Sequence, residues 1–167
     1  AAVLPLPFEP VTTTEIMLSK IWSMGLVVLL GSTFSLLVVV QGIMHVPVQG
    51  SAILFLAGSV LMVFAMTSLG IFLATIAGTM PQFALLMMLV LLPLQVLSGS
   101  MTPRESMPEI IQNIMLAAPN THFIILSQGI LFRGAGIDVV WPQFLALLAI
   151  GVALFWLALM RFRKFLR

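Results

Sequence analysis

The chain contains no cysteine, so it has neither a disulfide framework nor a thiolate nucleophile or metal ligand, and its redox compartment stays open. Charge is almost as scarce. Asp, Glu, Lys and Arg make up 7% of the residues, where a soluble domain carries about a quarter. Their balance leaves a net charge of +2, too little for a basic nucleic-acid-binding face. Only two lysines are present, Lys20 and Lys164, and neither follows the glycines of a G-x-x-x-x-G-K-[ST] loop. The chain therefore cannot hold a nucleotide in a P-loop. A G-x-S-x-G elbow and an H-E-x-x-H helix are both missing, which removes two common hydrolytic centres. His45 and His122 fall outside the apolar runs with nothing at ligand spacing, and read as satisfied or solvated side chains. Glu9, Glu15, Glu105, Glu109 and Asp138 also lie outside those runs, so a proton relay within a bilayer is unsupported. No catalytic residue, metal or resident cofactor is expected.

What fills the chain instead is apolar: 61% of its residues are hydrophobic and its mean hydropathy is +1.22. That composition identifies an all-α integral membrane protein whose core is the bilayer itself. Four runs are long enough to cross, at about 21–43, 51–76, 83–99 and 141–160. An even number of spans puts both ends on one side. Lys20, Arg161, Arg163, Lys164 and Arg167 collect there, and Arg104 and Arg133 fall opposite, so both termini are expected in the cytoplasm. Methionine is abundant, but Met62, Met66, Met87 and Met88 sit inside apolar runs and read as soft packing material.

The stretch before the last run is organised differently. Residues 107–118 and 121–132 are apolar, yet each reaches only about half of a ~30 Å hydrocarbon core. Such segments form either a re-entrant helical hairpin entering from the outside or an amphipathic hairpin on the surface. Thr102-Pro-Arg-Glu105 and Ser106-Met-Pro-Glu109 have capping-box spacing, with Pro in the first turn. Ile110, Ile111, Ile114, Met115 and Ala118 share one helical face, opposite Glu109, Gln112 and Asn113. Pro119-Asn120 breaks the first helix and offers Asn120 as the next N-cap, and Gly134 and Gly136 end the second.

Residues 1–10 carry three prolines and read as an extended arm. Thr12-Thr-Thr-Glu15 then makes a further capping box, opening a short cytoplasmic helix that leads into the first span past Lys20 and Trp22. Residues 1–20 are thus one unit, and 21–167 are the transmembrane domain. Gly70-x-x-x-Ala74-x-x-x-Gly78 offers a small-residue stripe for close helix packing. Pro93 frees the carbonyl of Leu89, and Gln95 is near enough to help satisfy such groups or to face a translocation path.

Leu94-Gln-Val-Leu-Ser-Gly-Ser-Met-Thr-Pro-Arg-Glu-Ser-Met-Pro108, followed by Pro119-Asn-Thr-His122, resembles the block before the last span of ABC-2 type export permeases. The likeness is strongest to the bacterial drug-export-like branch and runs from about Pro10 to the C-terminus. It implies a multi-pass permease of the bacterial inner membrane that works with a cytoplasmic ATP-binding subunit, which binds the ATP and Mg. It also implies a second permease copy or a sibling permease, and outward movement of a hydrophobic or amphipathic substrate. The segment carrying Pro10, Thr12, Thr14, Glu15 and Lys20 is similar to the one near the ATPase contact. Pro93, Gln95, Thr102, Ser106, Glu109, Ile110, Ile114, Asn120 and His122 fall in the block read as an outer gate. Members of this branch carry an earlier span pair and an extracytoplasmic domain that this chain lacks, so it resembles a C-terminal half. A channel or secondary transporter with a re-entrant loop, and a non-transporting membrane anchor, are the competing readings.

Overall fold

Small residues on two helices decide how the bundle closes. In a computed structural model describing residues 12–43, 45 and 49–165, the most extensive packing is between α2 (Ala52–Ile76) and α6 (Ile137–Phe165). Gly58, Ala65 and Ser68 are buried along α2, and Leu147, Gly151 and Ala158 along α6. A Cβ on Gly151 would stand 3.5 Å from the Ala65 Cα and 2.7 Å from the Phe64 ring, so the two backbones meet where side chains vanish. In a bilayer, where lipid matches leucine in polarity, this close van der Waals fit is the main attraction between helices. Phe64 and Phe155 flank it with ring centroids 5.7 Å apart. The buried hydroxyls of Ser59 and Ser68 donate to the carbonyls four residues back, at 2.9 and 2.8 Å, so they cost no unpaired polar group.

The expected packing stripe is a different matter. Gly70 has open space where a Cβ would be, Ala74 is exposed, and Gly78 lies beyond the end of α2, donating its N–H to the Gln82 side chain. Small residues at four-residue spacing permit close approach but do not supply a partner. The seam that forms sets Gly151 of α6 against Ala65 of α2 instead.

The remaining spans are peripheral. α1 (Thr13–Phe34) continues to Ile43 with its hydrogen bonding widened to the π-helical i→i+5 pattern, and packs on α2. The helix is continuous from Thr13, so the capped first turns and the first span are one rod. α3 (Met80–Leu97) has no buried residue and carries Pro93 internally on an exposed face. The four helices long and apolar enough to cross are Thr14–Ile43, Ala52–Ile76, Met80–Leu97 and Ile137–Arg161. The chain is all-helical among its described residues, with four spans and a bent helix pair. The proline arm, Pro10 included, and residues 166–167 lie outside the described residues, as do the side chains of Arg163 and Lys164.

Candidate functional site

Between α3 and α6 the chain forms a single 3-10 turn (Arg104–Ser106), then α4 (Glu109–Met115) and α5 (Pro119–Arg133). α4 and α5 meet at 91°, so the expected hairpin is an L and not an antiparallel pair. Its long arm, α5, packs on both α2 and α6. Leu126, Ile130, Val140 and Leu147 form one buried cluster, with Phe55, Phe123 and Phe144 packed around it.

Glycines shape the socket for α5. Leu126 is 0% exposed and fills a notch at Gly58, where a Cβ would stand only 2.6 Å from its Cδ2. A Cβ on Gly50 would collide with the carbonyl oxygen of Ile130. Gly134 ends α5 at φ +62°, a conformation open to glycine, and lies against Gln49. The Ala135 N–H donates to the Gly129 carbonyl at 2.9 Å, and the Gln49 N–H donates to the Leu131 carbonyl at 3.2 Å. The Leu131 carbonyl, left over at the end of α5, is thereby paired by the loop between α1 and α2. Gly58 lies about two turns into α2, roughly 9 Å from its start at 1.5 Å per residue. The N-terminal half of α5 is therefore carried below the span ends, as a re-entrant element requires.

At the bend of the L, His122 acts as a bracket. Its Nε2–H donates to the Leu116 carbonyl at 2.7 Å, an oxygen that can only accept. Its Nδ1 lies 2.7 Å from the side-chain amide of Gln143 on α6, a group offering both a donor and an acceptor. One imidazole thus ties the end of α4, the start of α5 and the last span together. His122 is buried, lies outside the four spans as expected, and is a satisfied rather than a solvated histidine. Gln143 was not singled out from the sequence; the available signal is a lone amide among the apolar residues of the last span. Next to this bracket, Asn120 Oδ1 and Thr121 Oγ1 are buried without a hydrogen-bond partner.

Several expected roles change in this setting. Ala118 is the N-cap of α5 and Pro119 opens the helix, so Asn120 sits inside the first turn and does not cap. Proline needs no N–H there, and it has displaced the capping register by two residues. Thr102 and Ser106 form no capping box. Pro103 and Pro108 occupy the N-cap positions, and the Ser106 hydroxyl donates back to the Pro103 carbonyl at 2.6 Å. Glu109 accordingly heads α4 without a side-chain partner from Ser106. The packed side of α4 is Ile111, Met115 and Ala118, whereas Ile110 and Ile114 are 74% and 65% exposed. Gln112, expected on a wet face, is half-buried and donates to the Met107 carbonyl at 2.9 Å. The Gln95 side chain is exposed; its backbone carbonyl, not its amide, serves the turn by accepting from Ser98 and Ser100.

The N-terminal segment stands apart from this site. The Thr12 N–H donates to Glu15 Oε2 at 2.7 Å and the Glu15 N–H to Thr12 Oγ1 at 3.4 Å, completing a capping box. Thr14 reaches back to the Thr12 hydroxyl, and Lys20 is exposed further along the helix. Because α1 and α2 are successive antiparallel spans, these residues occupy the end of the bundle opposite Gly50 and α5. No group of three His, Cys, Asp or Glu side chains that could hold a metal exists among the described residues.

Four candidate spans with a right-angled helix pair before the last define a multi-pass membrane protein, and the chain belongs to the ABC-2 type transporter family, which matches residues 6–132. The particular relatives are informative. It is 61% identical over 155 residues to the inner membrane transport permease YhhJ of Escherichia coli strain K12, and equally to that of Shigella flexneri, covering 93% of this chain and 41% of theirs. It is 28% identical over 145 residues to the probable multidrug ABC transporter permease YbhR of Escherichia coli strain K12, covering 85% of this chain and 38% of that protein. The chain thus spans about two fifths of the length of these curated relatives. No solved structure matches it.

Proposed function

We propose that this chain forms the C-terminal portion of the membrane permease of an ATP-binding cassette exporter in the bacterial inner membrane, with both termini cytoplasmic. A separate ATP-binding subunit holds ATP and Mg and hydrolyses it. This chain performs no catalysis; it transmits motion. The capped start of α1 docks near the ATPase, and a single rod from Thr13 carries the push into the bundle. At the far end, the α4–α5 pair gates the exit for a hydrophobic or amphipathic substrate. A second permease copy or a sibling permease completes the path.

The observation that carries this reading is the socket of α5. A segment too short to span is held below the span ends by glycine notches, an apolar cluster and one histidine bracket. A plug needs a seat of side-chain contacts, since these can open without breaking the backbone hydrogen bonds of a span. The likeness to YhhJ, named an inner membrane transport permease, supports the placement in a transporter of that membrane.

The test is purification of the full-length permease with its genomically adjacent ATPase, followed by reconstitution in vesicles. Co-purification and ATP-dependent outward movement of a hydrophobic dye are expected. Ion current from the permease alone, without nucleotide, would replace this reading with a channel.

A further inference from the structure

On the side of the gate formed by α5, a cavity of about 340 Å3 lies between that helix and the loop that follows α3. Ile124 and its neighbours form the apolar deep end. Gln128 and Arg133 follow toward the end of α5, and Arg104 and Glu105 close the opposite wall. Two guanidiniums and one carboxylate leave the rim with one net positive charge. Its position is fixed by the fold, because Arg133 ends α5 next to Gly134, which lies against Gln49 at the end of the spans. The rim therefore stands at the membrane boundary and the apolar end extends below it.

Arg104 is prepositioned. Gly99 has φ +100°, and a Cβ there would stand 3.2 Å from the Arg104 Cγ. The aliphatic stem of the arginine lies on bare backbone at the cavity wall, which removes part of its rotamer freedom before any ligand arrives. An apolar floor with guanidiniums at a lipid–water boundary is complementary to one kind of molecule. Arginine matches phosphate oxygens in pairs, and charge-assisted hydrogen bonds are the strong ones.

We propose that this cavity is a binding site for the phosphate group of a membrane lipid, with Arg104 and Arg133 holding the phosphate and the Ile124 end receiving the start of the acyl chains. Glu105 sets the charge preference. It disfavours headgroups carrying an extra negative charge and favours those carrying an amine. The site is a lipid position on the gate's own α5 helix, independent of which substrate the transporter moves.

The experiment is native mass spectrometry of the full-length permease in detergent, titrated with three probes. Phosphatidylglycerol carries phosphate and chains, diacylglycerol carries chains alone, and glycerol 3-phosphate carries phosphate alone. The expected result is retained phosphatidylglycerol, about tenfold weaker retention in Arg104→Gln/Arg133→Gln, and little retained diacylglycerol. Displacement of phosphatidylglycerol by glycerol 3-phosphate would support a phosphate site open to soluble phosphates; lack of displacement would support lipid as the source. Glu105→Gln should retain phosphatidylglycerol severalfold more tightly, a gain that misfolding cannot produce. Equal retention of diacylglycerol and phosphatidylglycerol, or no change in either variant, overturns the proposal.

Discussion

Replacing Gly58 with valine would test whether α5 is held by its glycine notch. The Cβ alone would stand 2.6 Å from Leu126 Cδ2, about 0.9 Å inside the usual carbon–carbon separation of about 3.5 Å. Leu126 is fully buried, so its side chain must shift within packed surroundings. Overpacking of this kind costs typically about 1–3 kcal/mol, and the two γ-methyls of valine place it in the upper half of that range. Exchanging glycine for valine within a helix returns roughly 0.3–0.5 kcal/mol of backbone propensity. A net destabilisation of about 2 kcal/mol raises the population of the undocked hairpin roughly 30-fold.

The assay exploits the absence of native cysteine. Thr121 is 0% exposed and its hydroxyl has no partner, so Thr121→Cys removes no hydrogen bond and loses one methyl group. Its reaction with a membrane-impermeant thiol reagent, in an otherwise cysteine-free permease, should accelerate about 30-fold in Gly58→Val. When closing is faster than labelling, the rate tracks the open population. Leu126→Ala should also accelerate labelling by leaving a cavity in the same place. The combined Gly58→Val/Leu126→Ala variant should label more slowly than either single variant, because valine occupies the vacated space. Strictly additive rates in the double variant would refute the notch, since contacting residues must couple.

Other predictions follow from the same geometry. His122→Leu strands the Gln143 amide and the Leu116 carbonyl, so it should speed Thr121→Cys labelling by about 1–2 kcal/mol worth of opening, and Gln143→Leu in the same background should recover part of it. Identical labelling in His122→Leu and wild type would show that the bracket contributes nothing. Ile16→Pro deletes the bond from the Ile16 N–H to the Thr12 carbonyl and costs about 3 kcal/mol if the position behaves as helix interior. Substrate-stimulated ATP hydrolysis in the assembled transporter should fall while membrane insertion survives; unchanged stimulation would make the segment an anchor only. Met115→Asp, on the packed side of α4, should raise substrate leak at matched expression well above Ile114→Asp, whose side chain points away from the chain's own spans. Cysteines at Ser51 and Arg161 should label from opposite sides of the membrane. Labelling of both from outside would reverse the assigned topology.

Local chemistry in the sequence was enough to determine the spans, two of the helix ends and the likeness to the family. Apolar runs must bury their backbone polar groups as helices wherever they lie, so the run lengths alone define four crossings and a segment too short to make a fifth. The Thr12–Glu15 box and the Gly134 stop depend only on neighbours three or four residues away, and both form where the spacing places them. Where proline competed with side-chain capping, at Thr102, Ser106 and Asn120, proximity in sequence was ambiguous and proline held the N-terminal position.

What only the tertiary structure decided is which small and polar residues find partners. Gly70, Ala74 and Gly78 have the spacing of a packing stripe, yet helix association in lipid depends on two surfaces meeting, and it is Gly151 that meets Ala65 and Gly58 that receives Leu126. Likewise His122 looked solitary because its partner Gln143 is twenty-one residues away. A hydrogen bond between helices is a property of their relative placement, and no periodicity within either helix contains that placement.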